Sequence, residues 1–399
     1  MHLDFLQFVT KKSLPVFLLS LFFIFSNCNK NEDTSFDYYT NIKTFSDVEL
    51  FDITPNIDSI FLDISNIFTS DLGFIRIYNK KIYYVDQKTC VISVFNKDGL
   101  FLESKLGKGL GPQEITADFI MDYLQTDDGM HIVLDYNYTL YVYDKGWNIL
   151  SKNHINWQEK HSREEMLKSY EASMPGLYSF NYNFDNIKGR YSSKHLYFEI
   201  IAEHPEFNMI ISEEYFKRSR IVGKINTSNG HVENILGRRS PYYLSFKFLG
   251  HLSYLFFDSY KQDSFILTFE ADSLIYKCSK NFIPILAFGR SGQNMNTNYT
   301  LLNNFKDAEL VYHSNRKECG YYTSIEYVNE VNLLFRTYTK GSHAKDDGLQ
   351  VYKDEVLVAD MSIPNGFKIE GYIHPHIYSI KKIDVNGRKV ILNRILIDF

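Results

Sequence analysis

The sequence predicts an all-β fold: a six-bladed β-propeller of four-stranded antiparallel blades carrying one short inserted helix. Three observations lead there. The chain holds 30 Tyr and 32 Phe among 399 residues but only 9 Pro and 21 Gly, an aromatic excess that suits pleated, half-buried surfaces. A unit of four short apolar runs, each closed by a turn cluster, can be read from Phe74 to Glu114. The ending of that unit recurs as Leu106-Gly107-Lys108, Leu236-Gly237-Arg238 and Phe288-Gly289-Arg290, and strand units repeating at this scale mark propeller blades.

The elements follow in chain order. Lys11 and Lys12 precede an uncharged run from Ser13 to Phe25, which ends in Phe25-Ser26-Asn27-Cys28. The run has the length of a signal-peptide core and is too short to span a bilayer. Residues 1–27 are therefore expected as a lipoprotein signal peptide, Cys28 as the lipidated residue, 28–41 as a polar tether and 42–399 as the propeller. In the first blade the strands are Phe74–Ile77, Ile82–Val85, Val91–Phe95 and Leu100–Leu106, separated by polar turns. Strands such as Phe265–Phe269 are apolar on both faces, as sheets covered on both sides require. Ser162 and Glu165 form a Ser-x-x-Glu capping box for a helix within Lys160–Met174, the one helix expected. Six blades are preferred over seven. Closure is expected between a strand near Val48–Ile53 and the strands around Val390–Phe399, which removes two sheet edges.

Gly107-Lys108-Gly109-Leu110-Gly111-Pro112-Gln113-Glu114, together with the lipobox-like Cys28, resembles six-bladed propeller lipoproteins of Bacteroidetes-type bacteria. These are related to NHL and TolB-like propellers, in families of unassigned function. The resemblance implies the fold and an outer-membrane lipid anchor, facing the surface or the periplasm. It gives Gly107, Gly109, Gly111, Pro112 and Glu114 a structural role and says nothing of activity.

Composition excludes some functions. With 43 Lys+Arg against 48 Asp+Glu and no basic stripe, no nucleic-acid partner is expected. The glycine run lacks a following helix and a Gly-Lys-Ser/Thr, so it is read as a tight inter-blade turn and not a phosphate loop. His374-Pro375-His376 puts two imidazoles on one face of a strand, but with no third ligand nearby no metal is expected, and no cofactor. Asp86, Asp135 and Asp258 end strands that appear equivalent; they are read as turn-capping residues, with lining of one ring mouth as the alternative. Of the thiols, Cys90 and Cys278 lie in strands and Cys319 in a loop, and at most one disulfide can form among them. No nucleophile motif stands out, so no catalytic residue is named. Most aromatic rings are expected between blades, whereas Tyr178, Tyr182, Phe184 and Tyr191, in an insertion, are expected to form an exposed binding surface.

The function expected is that of a lipid-anchored cell-envelope module, non-catalytic, which binds or assembles with a glycan, peptide or envelope protein. The alternative is an extracytoplasmic hydrolase or lyase, with or without a metal, whose active site at the channel mouth is assembled from several blades.

Overall fold

The computed structural model describes residues 34–399 apart from 52–54, 66, 112, 159, 182–186, 246–248, 262–263, 303–304 and 398–399. Cys28 and the signal segment lie outside the described residues. The compact unit from Ser35 to Phe399 is a ring of six sheets. Blade I holds strands Gly73–Tyr78, Lys81–Asp86, Val91–Phe95 and Phe101–Leu106, within a residue of the runs expected from sequence. Blades II to V span Ile120–His154, Tyr178–Leu236, Leu255–Phe288 and Tyr321–Ile363, and blade VI is built from Gly371–Leu396 and an N-terminal strand.

Packing explains the aromatic excess. The five buried clusters fall between neighbouring blades. Phe74, Tyr83 and Val94 of blade I meet Tyr123, Tyr141 and Trp147 of blade II, while Ile75 and Tyr84 of blade I meet Tyr378 and Leu392 of blade VI. Broad flat rings fill the wedge between twisted sheets, and the tyrosine hydroxyls find partners at its edges.

The three recurring glycines follow the outermost strands of blades I, III and IV. All three have positive φ (Gly107 +148°, Gly237 +70°, Gly289 +104°), a region costly for residues with a Cβ. In the glycine-rich loop, Ile115 N donates to Gly107 O at 2.8 Å and Gly109 N to Ile115 O at 3.0 Å. The Glu114 carboxylate accepts from Gly111 N at 2.6 Å. A Cβ on Gly109 would lie 2.0 Å from Glu114 Oε2, so the glycines make room for this carboxylate. The loop links blade I to blade II; Pro112 lies outside the described residues.

Ring closure differs from expectation. The strand that completes blade VI is Asn56–Asp63, antiparallel to Lys389–Leu396 with Asn56 opposite Leu396 and Asp63 opposite Lys389. The described part of the segment expected to close the ring at 48–53, residues 48–51, lies on blade V instead: Val48 bridges Leu357, and Phe51 N donates to Val358 O at 2.9 Å. Further upstream, Lys43–Thr44 pairs in parallel with Leu286–Ala287 of blade IV. Ser35 Oγ donates to Phe216 O at 2.7 Å, and Tyr39 is buried with its hydroxyl on Arg238 O. The polar tether read as ending at residue 41 is thus docked from Ser35 onward, and a strap runs along blades III to VI.

The capping box at Ser162 is present, with Ser162 N donating to Glu165 Oε2 at 2.7 Å, and caps the helix Arg163–Lys168. It is not the only helix. Ser35–Tyr38, Glu213–Arg218, Tyr242–Ser245 and Phe305–Glu318 were not expected. Ser35–Tyr38 belongs to the N-terminal strap; the other four helices, Arg163–Lys168 included, lie in connections between blades or between second and third strands, on the face where the innermost strands begin.

Candidate functional site

Each blade sends charge to the ring axis. Blade I supplies Arg76, blade II Asp122, blade III Lys188 and Arg190, blade IV Asp258, blade V Glu326, and the segment leading into blade VI Glu370. Arg76 donates to Asp122 Oδ1 at 2.7 Å and to Glu370 Oε2 at 3.1 Å. Arg190 pairs with Asp258, and with Glu326 Oε2 at 3.0 Å. Lys188 Nζ lies 2.8 Å from Glu326 Oε2. Backbone donors complete the carboxylates: Gly189 N reaches Asp122 Oδ2 at 2.8 Å and Tyr327 N reaches Asp258 Oδ2 at 2.7 Å. Burial pulls the Arg76 pKa down, but the Asp122 and Glu370 carboxylates outweigh this and hold it above the ordinary value. A buried pair becomes tolerable only when its remaining donors and acceptors are satisfied in this way.

The innermost strand of blade III makes this crossing possible. It is split into Tyr178–Phe180 and Arg190–Ser192, both paired with His195–Ala202. The described residues just before Arg190 make an excursion to the axis, where Ile187 O accepts from Arg76 Nη2 at 3.1 Å and Lys188 donates to Ile369 O at 3.2 Å. The excursion places a third blade's cations between the acids of the others.

On the helix-bearing side of this ion ring lies a funnel of about 360 Å³. Lys188, Arg190 and Glu370 line its floor; Leu72, Asn181, Glu199, Phe256 and Ile380 are among its wall residues. The volume falls in the range of small-molecule sites. Burial pushes the Glu199 carboxyl up to about 8, a rise that Arg239, the Asn181 amide and Leu255 N only partly offset.

This shift sets a pH dependence. With an ordinary carboxyl near 4.5 in the unfolded chain, the folded protein holds a proton there that the unfolded chain has released. Stability from this group is fully present below about 4.5 and is lost as pH rises toward about 8. Glu199→Gln, which cannot ionise, should match the wild type in thermal melts near pH 4.5 and melt higher by several degrees near pH 8. Equal melting curves at both pH values would contradict the buried, protonated carboxyl.

The residues expected as an exposed aromatic surface divide. Tyr178 is core: it is 4% exposed, donates to Ala172 O at 2.7 Å and accepts from Arg220 N at 3.0 Å. Tyr191 is half-buried against the core of blades II to IV. Tyr182 and Phe184 lie outside the described residues. Asp86 and Asp135 do cap turns, accepting from Thr89 N at 2.9 Å and Thr139 N at 2.8 Å. Asp258 is not their equivalent. It sits on an innermost strand, where the others end second strands, and belongs to the ion ring. Cys90, Cys278 and Cys319 are free and buried, so no disulfide joins them. His374 is exposed and accepts or donates a 2.9 Å contact with Tyr372 Oη; among the described residues no His, Cys, Asp and Glu grouping has the form of a metal site. No described helix is long and apolar enough to cross a membrane.

Sequence reading missed the ion ring, Asn181 and Glu199. A signal for the ring was present: a lone charge inside an apolar strand, in Ile75-Arg76-Ile77, Met121-Asp122-Tyr123, Phe257-Asp258-Ser259 and Ile325-Glu326-Tyr327. Nothing local marks Glu199, whose neighbours across the funnel come from distant blades.

No protein-family model and no curated protein matches the chain. Among solved structures it is similar to a member of the DUF4221 family from Bacteroides vulgatus, at 12% identity and a TM-score of 0.59, over 88% of this chain and 98% of that one. It is also similar to a protein from Bacteroides fragilis described as exported, at 13% identity and a TM-score of 0.50, over 90% of this chain and 100% of that one. At these identities the likeness shows the fold, a six-bladed propeller, in line with the resemblance read from the glycine-rich segment.

Proposed function

We propose that this propeller is a lipid-anchored, non-catalytic binding module of the cell envelope, and that its ligand enters the funnel on the helix-bearing face. The observation that carries the reading is a funnel whose floor is closed by reciprocal ion pairs. Acids and bases committed to one another hold a shape well but are poorly placed to move protons. Loops on one face of a rigid ring are where binding specificity is usually built. The Cys28 motif supports the anchor, and the exported neighbour of the same fold supports a position outside the cytoplasm. The glycan, peptide or envelope-protein partner expected from sequence remains the partner class proposed.

One observation favours the second reading, an extracytoplasmic hydrolase or lyase: Glu199 holds its proton at neutral pH and lines a cavity, as a general acid does.

Native mass spectrometry with envelope glycan and peptide fragments separates the two. Leu72 is half-buried at the funnel wall, so Leu72→Trp should obstruct it. The account expects a fragment that binds the wild type, is released unchanged, and loses about tenfold in affinity, or about 1.4 kcal/mol, in Leu72→Trp. Binding indifferent to this substitution would place the site elsewhere, and conversion of the fragment would establish the enzyme. In a host competent for lipoprotein processing, labelled palmitate should enter the wild type and not Cys28→Ala; absence of label from the wild type would refute the anchor.

A further inference from the structure

The rim of the ring carries a second surface, away from the funnel. The outermost strand of a blade leaves one edge unpaired within that blade, with alternate N–H and C=O groups pointing outward. The chain covers two of these edges itself. Lys43–Thr44 lies on Leu286–Ala287 of blade IV, and residues 48–51 lie on Leu357 and Val358 of blade V. The outermost strand of blade I, Phe101–Leu106, pairs with Val91–Phe95, and among the described residues no strand lies on its other side. A bulge at Leu102 leaves Glu103–Leu106 regular. Leu100, Phe101 and Leu102 are all exposed here, although an open edge is ordinarily blunted by charge or covered.

The sequence of this edge is complementary to itself. An antiparallel copy turned about a two-fold axis at Ser104 sets Glu103 opposite Lys105 of the second copy, and Phe101 opposite its Gly107. Within one chain Glu103 and Lys105 already lie 2.8 Å apart, both partly exposed. No other blade offers this match. The outer strands of blades III to VI carry no Lys or Arg, and that of blade II carries no Asp or Glu. Opposite charges across a strand pair attract, whereas like charges directly opposite are destabilising. Beside the edge runs an open groove of about 620 Å³, with Ile67, Phe68, Val91, Phe101, Ser104 and Gly107 among its lining. Phe68 is 86% exposed and Phe101 43%. A Cβ on Gly107 would meet no atom within 4 Å, so space stands open above it. An aromatic ring opposite an edge glycine fills such a space.

We propose that the outer edge of blade I is a dimerisation surface, on which a second copy of this chain pairs its own Phe101–Leu106 antiparallel about a two-fold axis at Ser104. Two four-stranded blades then join in one continuous sheet. Two Glu103–Lys105 contacts form across the axis, and each Phe101 enters the groove of the other copy beside Phe68. An isologous contact of this kind closes on itself and stops at two copies. The edge lies at the rim and the funnel on the axis, so the dimer goes beyond the binding reading and stands without it.

Sedimentation of the full mature chain in detergent, over a dilution series, reads the oligomeric state. The expected result is a reversible equilibrium between monomer and dimer. Glu103→Lys and Lys105→Glu each set like charges opposite one another and should weaken the dimer about tenfold or more. The double swap, Glu103→Lys with Lys105→Glu, should restore it, and an equal mixture of the two single variants should form mixed dimers. Thermal melts identify any variant that fails to fold, and cross-linking of an otherwise wild-type chain then stands in its place. Mild oxidation with diamide should trap Ser104→Cys as a disulfide-linked dimer, but not Ser59→Cys, a position exposed on the outer strand of blade VI. A chain that stays monomeric at every concentration, as an edge reserved for a different envelope protein would leave it, would overturn the proposal. So would a dimer indifferent to both single substitutions, a double swap that fails to restore pairing, or cross-linking at Ser59 and not at Ser104.

Discussion

Asp122→Ala should destabilise the protein by about 3–5 kcal/mol, the range seen when one partner of a buried ion pair is removed. Asp122 is fully buried and takes Arg76 at 2.7 Å, Gly189 N at 2.8 Å and Tyr123 N at 2.8 Å. Its loss strands a guanidinium that is itself 2% exposed and releases the blade III excursion from the axis. Arg76 keeps Glu370, so the ring should loosen without the chain losing its blades. The loss is read from urea denaturation as a lower midpoint at unchanged slope. Arg76→Met combined with Asp122→Leu should recover much of it, because apolar replacements leave no unpaired charge. A single substitution costing under about 1 kcal/mol, as an exposed ion pair would, would show that the axis is wet and the ring loosely held.

Leu62→Asp should be more damaging. Leu62 is fully buried on the N-terminal strand that completes blade VI, in a cluster with Ile75, Phe95, Tyr378 and Leu392. An aspartate there would have to desolvate its charge against an apolar interface, or the strand would have to leave. Departure of the strand bares the edge at Lys389–Leu396, and open edges invite aggregation. The expected outcome is insoluble protein or a loss of cooperative melting. The control is the next residue. Phe61 is 53% exposed, and Phe61→Asp should change stability by less than about 1 kcal/mol. If Leu62→Asp melts like the wild type, the ring is not closed by this strand.

What could be read from the sequence was local. The strands of blade I were legible because each apolar run ends in residues that demand a turn, and the Gly107, Gly237 and Gly289 endings because positive φ leaves few alternatives to glycine. The capping box at Ser162 was legible for the same reason. The long helix Phe305–Glu318 was not, since its sequence is polar over most of its length and gives little apolar period to see. Tyr178 was misplaced because an aromatic inside an insertion reads alike whether it packs inward or outward; its burial depends on Ala172 and Arg220, which come from outside its strand. The strap was misread by one blade. Residues 47–51 and 56–63 both extend along outer strands, and the sequence does not say which partner each meets. The ion ring needed the register of six blades at once. Arg76 and Asp122 are neighbours only because both occupy the same depth on innermost strands.

The most direct test of the central claim is a crystal structure of the mature chain with the envelope fragment that binds it most tightly. The account predicts the ligand in the funnel above an intact ring, with Arg76 on Asp122 and Arg190 on Asp258. A ligand bound at any other surface, or a channel open through the axis with those pairs separated, would contradict it.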